Sequence, residues 1–364
     1  MFDYIIVGSG FAGSVLAERI AKTLNKKVLV IDKRNHIGGN CYDYYNNAGI
    51  LVHKYGPHYF RTNLKYVFDY VSQFTEWHYI QYRIKVMIDG RLLPLPINLD
   101  TINDLYGANF STDNLQTFFD KQKTHIERIS NSEDVIKSKV GKELYEKIYK
   151  EYTVKQWGLE PKDLDASVCA RIPVRTNRDD RYFTDKYQAM PKYGYHKMFE
   201  KMLDHPNIHL MLQTAYGDIK DIISFKKLIW TGPIDEFFDF KHGKLSYRSL
   251  RFEHETLDME YYQQVSQVNY PVDYDFTRIV EIKHATGQKH NKTTIVREYP
   301  ESIGEPYYPI PKPEHEAIYT RYNGEAKKNK NVYFIGRLAE YKYYNMDQVV
   351  EKALHLFDKI RKEA

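Results

Sequence analysis

The chain has 364 residues, of which 28% are charged, and a formal net charge of +5, with a mean hydropathy of −0.62. A chain of this length can bury a large core in two or three lobes. No apolar run approaches the roughly eighteen residues of a membrane helix, so membrane insertion is not expected. The mild, unclustered positive charge suits a small anionic substrate better than nucleic acid, which usually binds a denser basic patch.

The sequence carries few signals of secretion or metal binding. It runs directly into an apolar stretch without a basic region or a cleavage site, so we expect no signal peptide and a cytoplasmic location. The two cysteines, Cys41 and Cys169, are far apart and are expected to remain reduced thiols. The histidines show no metal-ligand spacing, and no metal is expected.

The first forty residues give the clearest local signal. An apolar run at 4–7 predicts a buried strand, Gly8-Ser9-Gly10-Phe11-Ala12-Gly13 matches G-x-G-x-x-G, and residues 14–24 have helical periodicity. A second apolar run at 27–31 ends at Asp32. This order predicts a Rossmann-like unit that holds a pyrophosphate at the helix N-terminus and a ribose on Asp32. The cofactor-binding candidates here are Gly8, Gly10, Phe11, Gly13 and Asp32.

The residues after Asp32 favour FAD over a nicotinamide dinucleotide. Lys33 and Arg34 follow the acid directly, and Gly38-Gly39-Asn40 comes shortly afterwards. This order resembles the FAD-binding stretch of the flavin-monooxygenase and amine-oxidase group, where a second glycine pair lets more backbone approach the cofactor. We therefore predict FAD, and the resemblance adds Lys33, Arg34, Gly39 and Asn40 to the cofactor-binding candidates.

The rest of the chain predicts two further lobes. Helical patterns at 115–129 and 131–150 indicate a helical lobe over about residues 98–160. Short strands follow, and an antiparallel sheet domain for the substrate, over about residues 235–330, fits them. The predicted strands are 228–230, 247–252, 264–268, 277–284 and 293–298, and a last helix at 347–362 is expected to return to the first domain.

The predicted fold class is therefore α/β, with a discontinuous first domain. A Rossmann-like FAD-binding domain would comprise residues 1–80 and about 332–364, with a segment near 190–235 as a further candidate part. The helical lobe is inserted into this domain, and the antiparallel β-sheet domain precedes its last segment.

Residues 53–62 contain too many special residues for an ordinary connection. Tyr55-Gly56-Pro57-His58 and the following Phe60 resemble Y-G-P-H-x-F-H-T, the flavin-contacting motif of UDP-galactopyranose mutases. The resemblance continues in the family's order to about residue 355. Its further motifs are L-P-I-N-L at 95–99, G-K-E-L-Y at 141–145, Y-T-x-K-Q-W-G at 152–158, R-x-P-V-R at 171–175, a Y-T-R-I-like run at 276–279, and G-R-L-A-E-Y at 336–341.

This resemblance implies an isomerase that uses reduced FAD without net redox change. The family interconverts the pyranose and furanose rings of UDP-linked galactose: flavin N5 attacks the sugar C1, UDP leaves, and an iminium forms while the ring opens and recloses. The cofactor carries the hard chemistry and the protein positions the reactants. The resemblance also implies a homodimer and a reductant such as NAD(P)H.

The resemblance assigns roles residue by residue. Arg175 and Arg278 match the two arginines that clamp the diphosphate, and Arg175 lies in a stretch, about residues 172–182, that resembles the family's mobile lid. His58 matches the histidine beside the flavin, and Tyr152 matches the residue that stacks on uracil. Further substrate candidates are Thr153, Trp157, Tyr182, Phe183, Tyr308 and Tyr343, and Arg337 and Met346 match residues that touch the flavin.

Three positions depart from the family pattern near the sugar. Arg61 stands where the second histidine of H-x-F-H is common, Tyr82 stands where Asn is usual, and Asn345 replaces an Asp. A guanidinium is longer than imidazole and offers more donors, so Arg61 could bind an N-acetyl carbonyl at C2. We therefore hypothesise that UDP-N-acetylgalactosamine is accepted as well as, or instead of, UDP-galactose.

Three alternatives stay open at this point. A paralogous mutase could act on another nucleotide sugar, such as a dTDP-deoxyhexose. An amine-oxidase-type flavin oxidoreductase would share the N-terminal motif but would not explain the two arginines. A non-catalytic flavoprotein that binds nucleotide sugar would not need Arg175.

Overall fold

The computed structural model describes residues 1–170, 172–310 and 312–363. Arg171, the first residue of the R-x-P-V-R motif, lies outside the described residues. The strands of the described part are β1 (Phe2–Val7), β2 (Val28–Asp32), β3 (Asp43–Tyr45), β4 (Leu51–His53), β5 (Phe60–Thr62), β6 (Trp77–Tyr79), β7 (Ile84–Ile88), β8 (Arg91–Leu95), β9 (Tyr187–Pro191), β10 (Ile208–Leu212), β11 (Phe225–Trp230), β12 (Tyr247–Leu257), β13 (Gln267–Asn269), β14 (Arg278–Val280), β15 (Thr293–Glu301), β16 (Tyr308–Pro309) and β17 (Val332–Phe334).

The helices of the described part include five that follow one another between β8 and β9. The α-helices are α1 (Phe11–Leu24), α2 (Lys65–Val71), α3 (Leu99–Tyr106), α4 (Thr112–Gln122), α5 (Ser132–Leu144), α6 (Glu151–Trp157), α7 (Ser167–Ala170), α8 (Gly194–Leu203), α9 (Tyr216–Ile219), α10 (Ile234–Phe237), α11 (Lys283–Thr286), α12 (Pro313–Ala326) and α13 (Met346–Glu363). A π-helical segment, Tyr145–Lys150, joins α5 to α6.

A parallel sheet with the strand order β10-β2-β1-β11-β17 carries the glycine motif. β1 pairs with β2 and β11, and α1 connects β1 to β2 with Val15, Leu16 and Ile20 fully buried. α13 returns from the end of the chain and packs on α1. The predicted strand–loop–helix–strand unit and the returning last helix are confirmed.

The strand predicted at 228–230 lies in this parallel sheet, and its grouping with the antiparallel strands was wrong. It is the end of β11, which pairs with β1 and β17. Leu228 and Ile229 are almost completely buried, as expected for a central parallel strand with both faces covered. The apolar run at 228–230 therefore predicted a buried strand correctly, but it did not show whether that strand pairs in a parallel or an antiparallel direction.

A second sheet has the strand order β16-β12-β15-β14-β13-β7-β8. Its pairs are antiparallel except for β13 with β7. The strand predicted at 277–284 is too long, because β14 ends at Val280 and α11 begins at Lys283. The buried Glu281 carboxylate, just after the strand, accepts the N–H groups of Tyr262 and Gln263.

The helical region packs on β7 and β8 through a shared apolar core. The helix predicted at 115–129 ends earlier, at Gln122, since the next eight residues are almost all exposed and have no apolar face to bury. The helix predicted at 131–150 is interrupted at Gly141, whose φ is 85°. A Cβ there would lie 2.1 Å from the carbonyl oxygen of Gln122, so α4 and α5 approach each other closely at this glycine.

Three further observations concern the described residues as a whole. Within the ranges above, none of the helices has the length and apolar character needed to cross a bilayer. The described part also has no cluster of three metal-ligating side chains. Cys41 and Cys169 are both buried, and neither forms a disulfide within the described chain. The division into domains stays a prediction.

Candidate active site

The nucleotide cleft lies at the carboxyl end of β1, where the strand order reverses. Its cavity has a volume of about 250 Å³ and is lined by the glycine loop and by residues after β2 and β11. Gly8 has φ +101°, and a Cβ on it would lie 2.1 Å from Oγ1 of Thr231. A Cβ on Gly13 would lie 1.9 Å from the carbonyl oxygen of Gly8, so this glycine permits the tight turn into α1 without lining the cleft.

Asp32 closes one side of this cleft and is held by the glycine loop. Its Oδ2 accepts the backbone N–H and the hydroxyl of Ser9, at 2.9 and 2.6 Å, and its Oδ1 accepts the backbone N–H of Arg34 at 3.0 Å. Gly39 faces Gly10 so closely that a Cβ on it would lie 3.0 Å from the Gly10 Cα. The second glycine pair thus serves packing between two loops.

The basic pair after Asp32 is bridged by an acid that sequence reasoning missed. Glu305 lies 3.1 Å from Nζ of Lys33 and 3.4 Å from Nη2 of Arg34. Arg34 also donates to Oδ1 of Asn40 at 2.9 Å. Glu305 is about 270 residues away in sequence, and no local pattern signals its position. The predicted cofactor residues that line the cleft are Gly8, Gly10, Phe11, Asp32, Lys33, Arg34, Gly39, Asn40, Arg337 and Met346.

A larger cavity of about 660 Å³ adjoins the cleft. The structure brings together in its lining all the predicted catalytic and substrate residues: His58, Arg61, Tyr82, Tyr152, Thr153, Trp157, Arg175, Tyr182, Phe183, Arg278, Tyr308, Tyr343 and Asn345. His58, Arg337 and Met346 line both cavities. The nucleotide cleft and the large cavity therefore meet at these three residues.

Arg278 is a fixed cation in the wall of the large cavity. It faces Glu298 across the β14–β15 pair, and its Nε donates to Oε2 of Glu298 at 2.6 Å. Burial opposes the charge of Arg278, but Glu298 and the nearby tyrosines outweigh it and raise the pKa of the guanidinium further. Glu298 is fully buried and was missed as a site residue. The pair holds the guanidinium in one orientation, and its Nη atoms are not used by Glu298.

Arg175 lies on the loop between α7 and β9, and its guanidinium is bonded to its own loop. Nη1 donates to the carbonyl oxygens of Asp179 and Arg181 at 3.0 and 2.6 Å. The backbone N–H of Arg175 donates to the carbonyl oxygen of Ile97 at 2.9 Å. A ligand that binds this guanidinium through Nη1 has to replace two carbonyl partners.

His58 is neutral and has a defined tautomer. Its Nδ1 lies 3.0 Å from the carbonyl oxygen of Gly56, which can only accept, so Nδ1 carries the hydrogen and Nε2 is an acceptor. Burial lowers the pKa of His58 to about 4. Its backbone N–H donates to Nδ1 of the buried His53 at 3.1 Å, a supporting contact that the sequence did not reveal.

Arg61 and Tyr82 both have partners within the protein. Nη1 of Arg61 donates to Oδ2 of Asp185 at 2.9 Å, and its guanidinium lies 4.0 Å from the ring centre of Phe183. The Tyr82 hydroxyl donates to Oε1 of Gln267 at 2.6 Å, and its ring also packs near Phe183, with centroids 5.5 Å apart. Asp185 and Gln267 line the cavity and were missed by sequence reasoning, because both are remote from their partners in the chain.

Aromatic rings form the wall between α6 and the C-terminal segment. Trp157 lies 6.3 Å from Tyr308, and Tyr308 lies 5.6 Å from Tyr343, measured between ring centroids. The Arg337 guanidinium lies 4.9 Å from the centroid of Tyr343 and donates to the carbonyl oxygen of Tyr344. This wall connects the helix face that carries Tyr152 to the junction of the two cavities.

Comparisons with known proteins agree with this arrangement. A family model described as UDP-galactopyranose mutase matches residues 147–343, and one described as a NAD(P)-binding Rossmann-like domain matches residues 6–74. A protein named "Probable UDP-galactopyranose mutase" from Klebsiella pneumoniae is 38% identical over 98% of this chain and 94% of its own length. The dTDP-fucopyranose mutase of Escherichia coli is 36% identical, with 97% of each chain covered.

A crystal structure of reduced UDP-galactopyranose mutase superposes with a TM-score of 0.81, at 17% identity, over 100% of this chain and 96% of its own. The glycine-loop cleft beside an arginine-bearing cavity and these matches define an isomerase of the flavin-dependent mutase type. The chain belongs to the UDP-galactopyranose mutase family. The resemblance that the motifs predicted is confirmed.

Proposed function

We propose that the protein binds FAD in the nucleotide cleft and, when the flavin is reduced, interconverts the pyranose and furanose forms of a UDP-linked galactose-type sugar. The observation that carries the proposal is the junction at His58, Arg337 and Met346, which line both cavities. A dinucleotide in the cleft would present its far end at this junction, next to a cavity whose lining includes Arg175 and Arg278. An amine-oxidase-type redox enzyme would not explain these two arginines.

The residues of the cleft fit an FAD molecule. Gly8 and Gly10 line the cleft at the N-terminus of α1, where a pyrophosphate would bind. Asp32 lines the cleft where an adenosine ribose would lie, and Arg337 and Met346 would flank the ring system. When bound and reduced, the flavin supplies the nucleophile for the anomeric carbon of the sugar.

The two arginines would hold the diphosphate of the departing UDP. Arg278 is already oriented by Glu298, so it needs no rearrangement to meet an anion. Arg175 would exchange its two carbonyl partners for phosphate oxygens, and the loop that carries it would then cover the cavity and exclude water. Both guanidiniums stabilise the negative charge that develops on the leaving group.

His58 would interact with the sugar as a neutral acceptor. Because Nδ1–H is given to Gly56, Nε2 can accept a hydrogen bond from a sugar hydroxyl at the junction. With its pKa lowered to about 4 by burial, His58 keeps this lone pair available at neutral pH.

The identity of the sugar is the open part of the proposal. Arg61 lines the cavity beside Phe183, with one N–H bound to Asp185, so its other N–H groups can meet a carbonyl oxygen of an N-acetyl group. This supports UDP-N-acetylgalactosamine as well as, or instead of, UDP-galactose. The Escherichia coli relative named dTDP-fucopyranose mutase keeps a dTDP-deoxyhexose as the alternative substrate.

Conversion assays test the proposal directly. UDP-galactopyranose and UDP-N-acetylgalactopyranose are incubated with the holoprotein, with and without dithionite, and the products are separated by chromatography. We expect a furanose product only with reduced flavin. If FAD is bound and reducible but neither sugar is converted, the mutase proposal fails for these sugars, and dTDP-fucopyranose and amine substrates are assayed next.

Arg61→His tests the sugar hypothesis. We expect the ratio of activity on the N-acetyl sugar to activity on galactose to fall about tenfold, the value of one hydrogen bond to a charged group. Arg251→His, on an exposed arginine that pairs with Glu253 and Glu301, is the matched control. An unchanged ratio would remove Arg61 as a determinant of sugar choice.

The resemblance also supports a cytoplasmic homodimer that is reduced by NAD(P)H. Light scattering of the purified holoprotein should give a mass near twice that of the 43.3 kDa chain. Anaerobic mixing with NADH or NADPH should bleach the flavin absorbance. A monomer, or a flavin that neither nucleotide reduces, would contradict the corresponding part of the proposal.

A further inference from the structure

His53 is a buried histidine behind the junction of the two cavities. It is the last residue of β4 and is only 2% exposed, and it lines neither the nucleotide cleft nor the large cavity. Burial lowers its pKa to about 3, so the ring is neutral. Because His53 lies outside both linings, any part that it plays in the reaction has to pass through its neighbours.

The first of these neighbours is His58. Nδ1 of His53 accepts the backbone N–H of His58 at 3.1 Å. A backbone N–H can only donate, so Nδ1 of His53 carries no hydrogen and Nε2 carries it. The ring of His58 is bonded through its own Nδ1 to the carbonyl oxygen of Gly56 at 3.0 Å. The Gly56 bond orients the ring within its turn, and the His53 bond fixes that turn relative to β4.

The second neighbour is Asp43, which faces His53 across the β3–β4 pair. Its carboxylate is held by the start of α8, where Oδ2 accepts the N–H of Tyr195 at 2.6 Å and Oδ1 accepts the N–H of His196 at 2.8 Å. Burial raises the pKa of Asp43 to about 6, so it is still ionised at neutral pH.

Asp43 selects the tautomer of His53. Nε2 of His53 lies 3.8 Å from Oδ2 of Asp43, and it is buried without a hydrogen-bond partner in the described part of the chain. This distance is too long for a hydrogen bond, but a fixed negative charge attracts an N–H dipole over it. The hydrogen is therefore favoured on Nε2, and Nδ1 is left free to accept from His58.

The position of His58 leaves little tolerance for movement. His58 lines both cavities, so the proposed flavin and sugar would meet beside it. A misplacement of about 1 Å in an active site can cost about 100-fold in rate. The arginines proposed to hold the diphosphate, Arg175 and Arg278, are carried by other elements and do not depend on this turn.

Resting on the proposed function, we propose that His53 is a positioning residue of the active site, which holds His58 at the junction through Nδ1 while Asp43 keeps the hydrogen on Nε2. His58 can then present its own Nε2 to a hydroxyl of the sugar. No proton moves through His53, because its ring stays neutral and in one tautomer. The role of His53 is to fix geometry, and its loss should slow the reaction without weakening the binding of UDP.

The test compares His53→Asn with His53→Gln in the holoprotein. The amide oxygen of Asn can take the place of Nδ1, whereas the amide of Gln takes the place of Nε2 and leaves His58 without its acceptor. We expect His53→Gln to lower kcat about 10- to 100-fold with KM within about threefold, and His53→Asn to stay close to the wild type. Flavin content and UDP affinity, measured by calorimetry, should be unchanged in both variants.

His254→Gln is the matched control. This exposed histidine contacts the carbonyl oxygen of His53 through Nε2 at 3.1 Å and does not touch its ring. Its substitution should leave conversion unchanged. Equal rates in His53→Asn and His53→Gln would overturn the inference, since the acceptor at the Nδ1 position would then be irrelevant.

Two further measurements show whether His53 acts through His58. In a His58→Leu background, His53→Gln should cost nothing further, and a loss that persists there overturns the inference. In the wild type, 15N NMR of labelled histidine should show the hydrogen of His53 on Nε2, its signal being identified by its absence in His53→Asn. Hydrogen on Nδ1 overturns the inference whatever the kinetics show. If the wild type converts no sugar, the proposed function fails instead.

Discussion

The nucleotide cleft and the large cavity are built differently. The cleft is built around the glycine loop and the residues after β2, with further lining residues after β10, β11 and β17. Two of its polar groups are already paired: Asp32 accepts three hydrogen bonds, and Arg34 is bound to Asn40 and Glu305. The large cavity draws its lining from segments spread between Tyr55 and Met346. Several of its buried atoms, including Oε1 of Glu298 and the Tyr149 hydroxyl, have no partner in the described chain.

We interpret this as the difference between a site for a cofactor that stays bound and a site for a substrate that binds and leaves. A cleft whose polar groups already have partners can hold a cofactor with little rearrangement. Its specificity for the cofactor then comes from the shape of the backbone. Among the cations that line the large cavity, Arg278 is fixed by Glu298, whereas Arg175 is bonded to its own loop. We expect a bound substrate to supply the missing partners and to displace some that are present.

The largest expected effect comes from a substitution that disrupts the glycine loop of the cleft. In Gly13→Ala, the new Cβ would lie 1.9 Å from the carbonyl oxygen of Gly8, so the turn into α1 has to open. We expect loss of bound flavin, loss of all isomerisation, and about 4 kcal/mol or more of lost stability. Flavin released by heat per mole of protein measures the first effect.

Gly324→Ala provides the matched control, because a Cβ on this glycine in α12 meets no atom within 4 Å. It should keep its flavin and gain about 0.5 to 1 kcal/mol of stability from helix propensity. Full flavin occupancy in Gly13→Ala would show that the glycine loop does not shape the cofactor site.

The next largest effect concerns Arg278, for which the loss of stability and the loss of isomerisation can be measured separately. Arg278→Ala leaves the fully buried Glu298 without its cation, which should cost about 3 to 5 kcal/mol of unfolding free energy. Adding Glu298→Gln removes the buried charge and should restore most of that loss. Isomerisation should stay absent in both variants, since neither has the fixed cation. Denaturant unfolding and the conversion assay together check this, and recovered activity in the double variant would refute the role of Arg278.

The smallest expected effect is the dependence of stability on pH. Burial lowers the pKa of His36 to about 4, of His53 to about 3 and of His58 to about 4. Below about pH 6.5 these histidines become protonated in the unfolded chain but stay neutral in the folded chain. The free energy of unfolding therefore decreases as the pH is lowered. Burial also raises the pKa of Asp43 to about 6, which opposes this trend because the folded state then binds an extra proton.

Three histidines outweigh one carboxyl, and we expect a net loss of about 3 kcal/mol between pH 7 and pH 5.5. Denaturant unfolding of the holoprotein at both pH values measures it. A stability that rises toward pH 5.5 would mean that these histidines are protonated in the folded protein.

The sequence predicted some parts of the two sites and not others, because only residues that belong to a recognisable motif can be identified without tertiary structure. Gly8, Gly10, Asp32 and the basic residues after it form one local motif, and local motifs can be read without tertiary structure. Family motifs also named every cavity residue expected to meet the substrate, and the structure places them in one lining. Their roles toward cofactor and substrate stay predictions.

The residues that support these groups could not be predicted. Glu298, Glu305, Asp185 and Gln267 act through partners far away in the chain, and such pairing is decided by sheet register and loop packing. The early end of α4 and the break at Gly141 have a similar origin, because exposure and a close helix contact overrode local helical periodicity.

The central claim is that the cleft and the large cavity form one active site that meets at His58, Arg337 and Met346. The most direct measurement is the visible spectrum of the oxidised flavin during titration with UDP-galactose, alongside calorimetry of the same binding. The account predicts a spectral change that saturates at the concentrations where calorimetry shows binding, because the sugar then contacts the flavin ring. Binding by calorimetry with an unchanged flavin spectrum would contradict the claim.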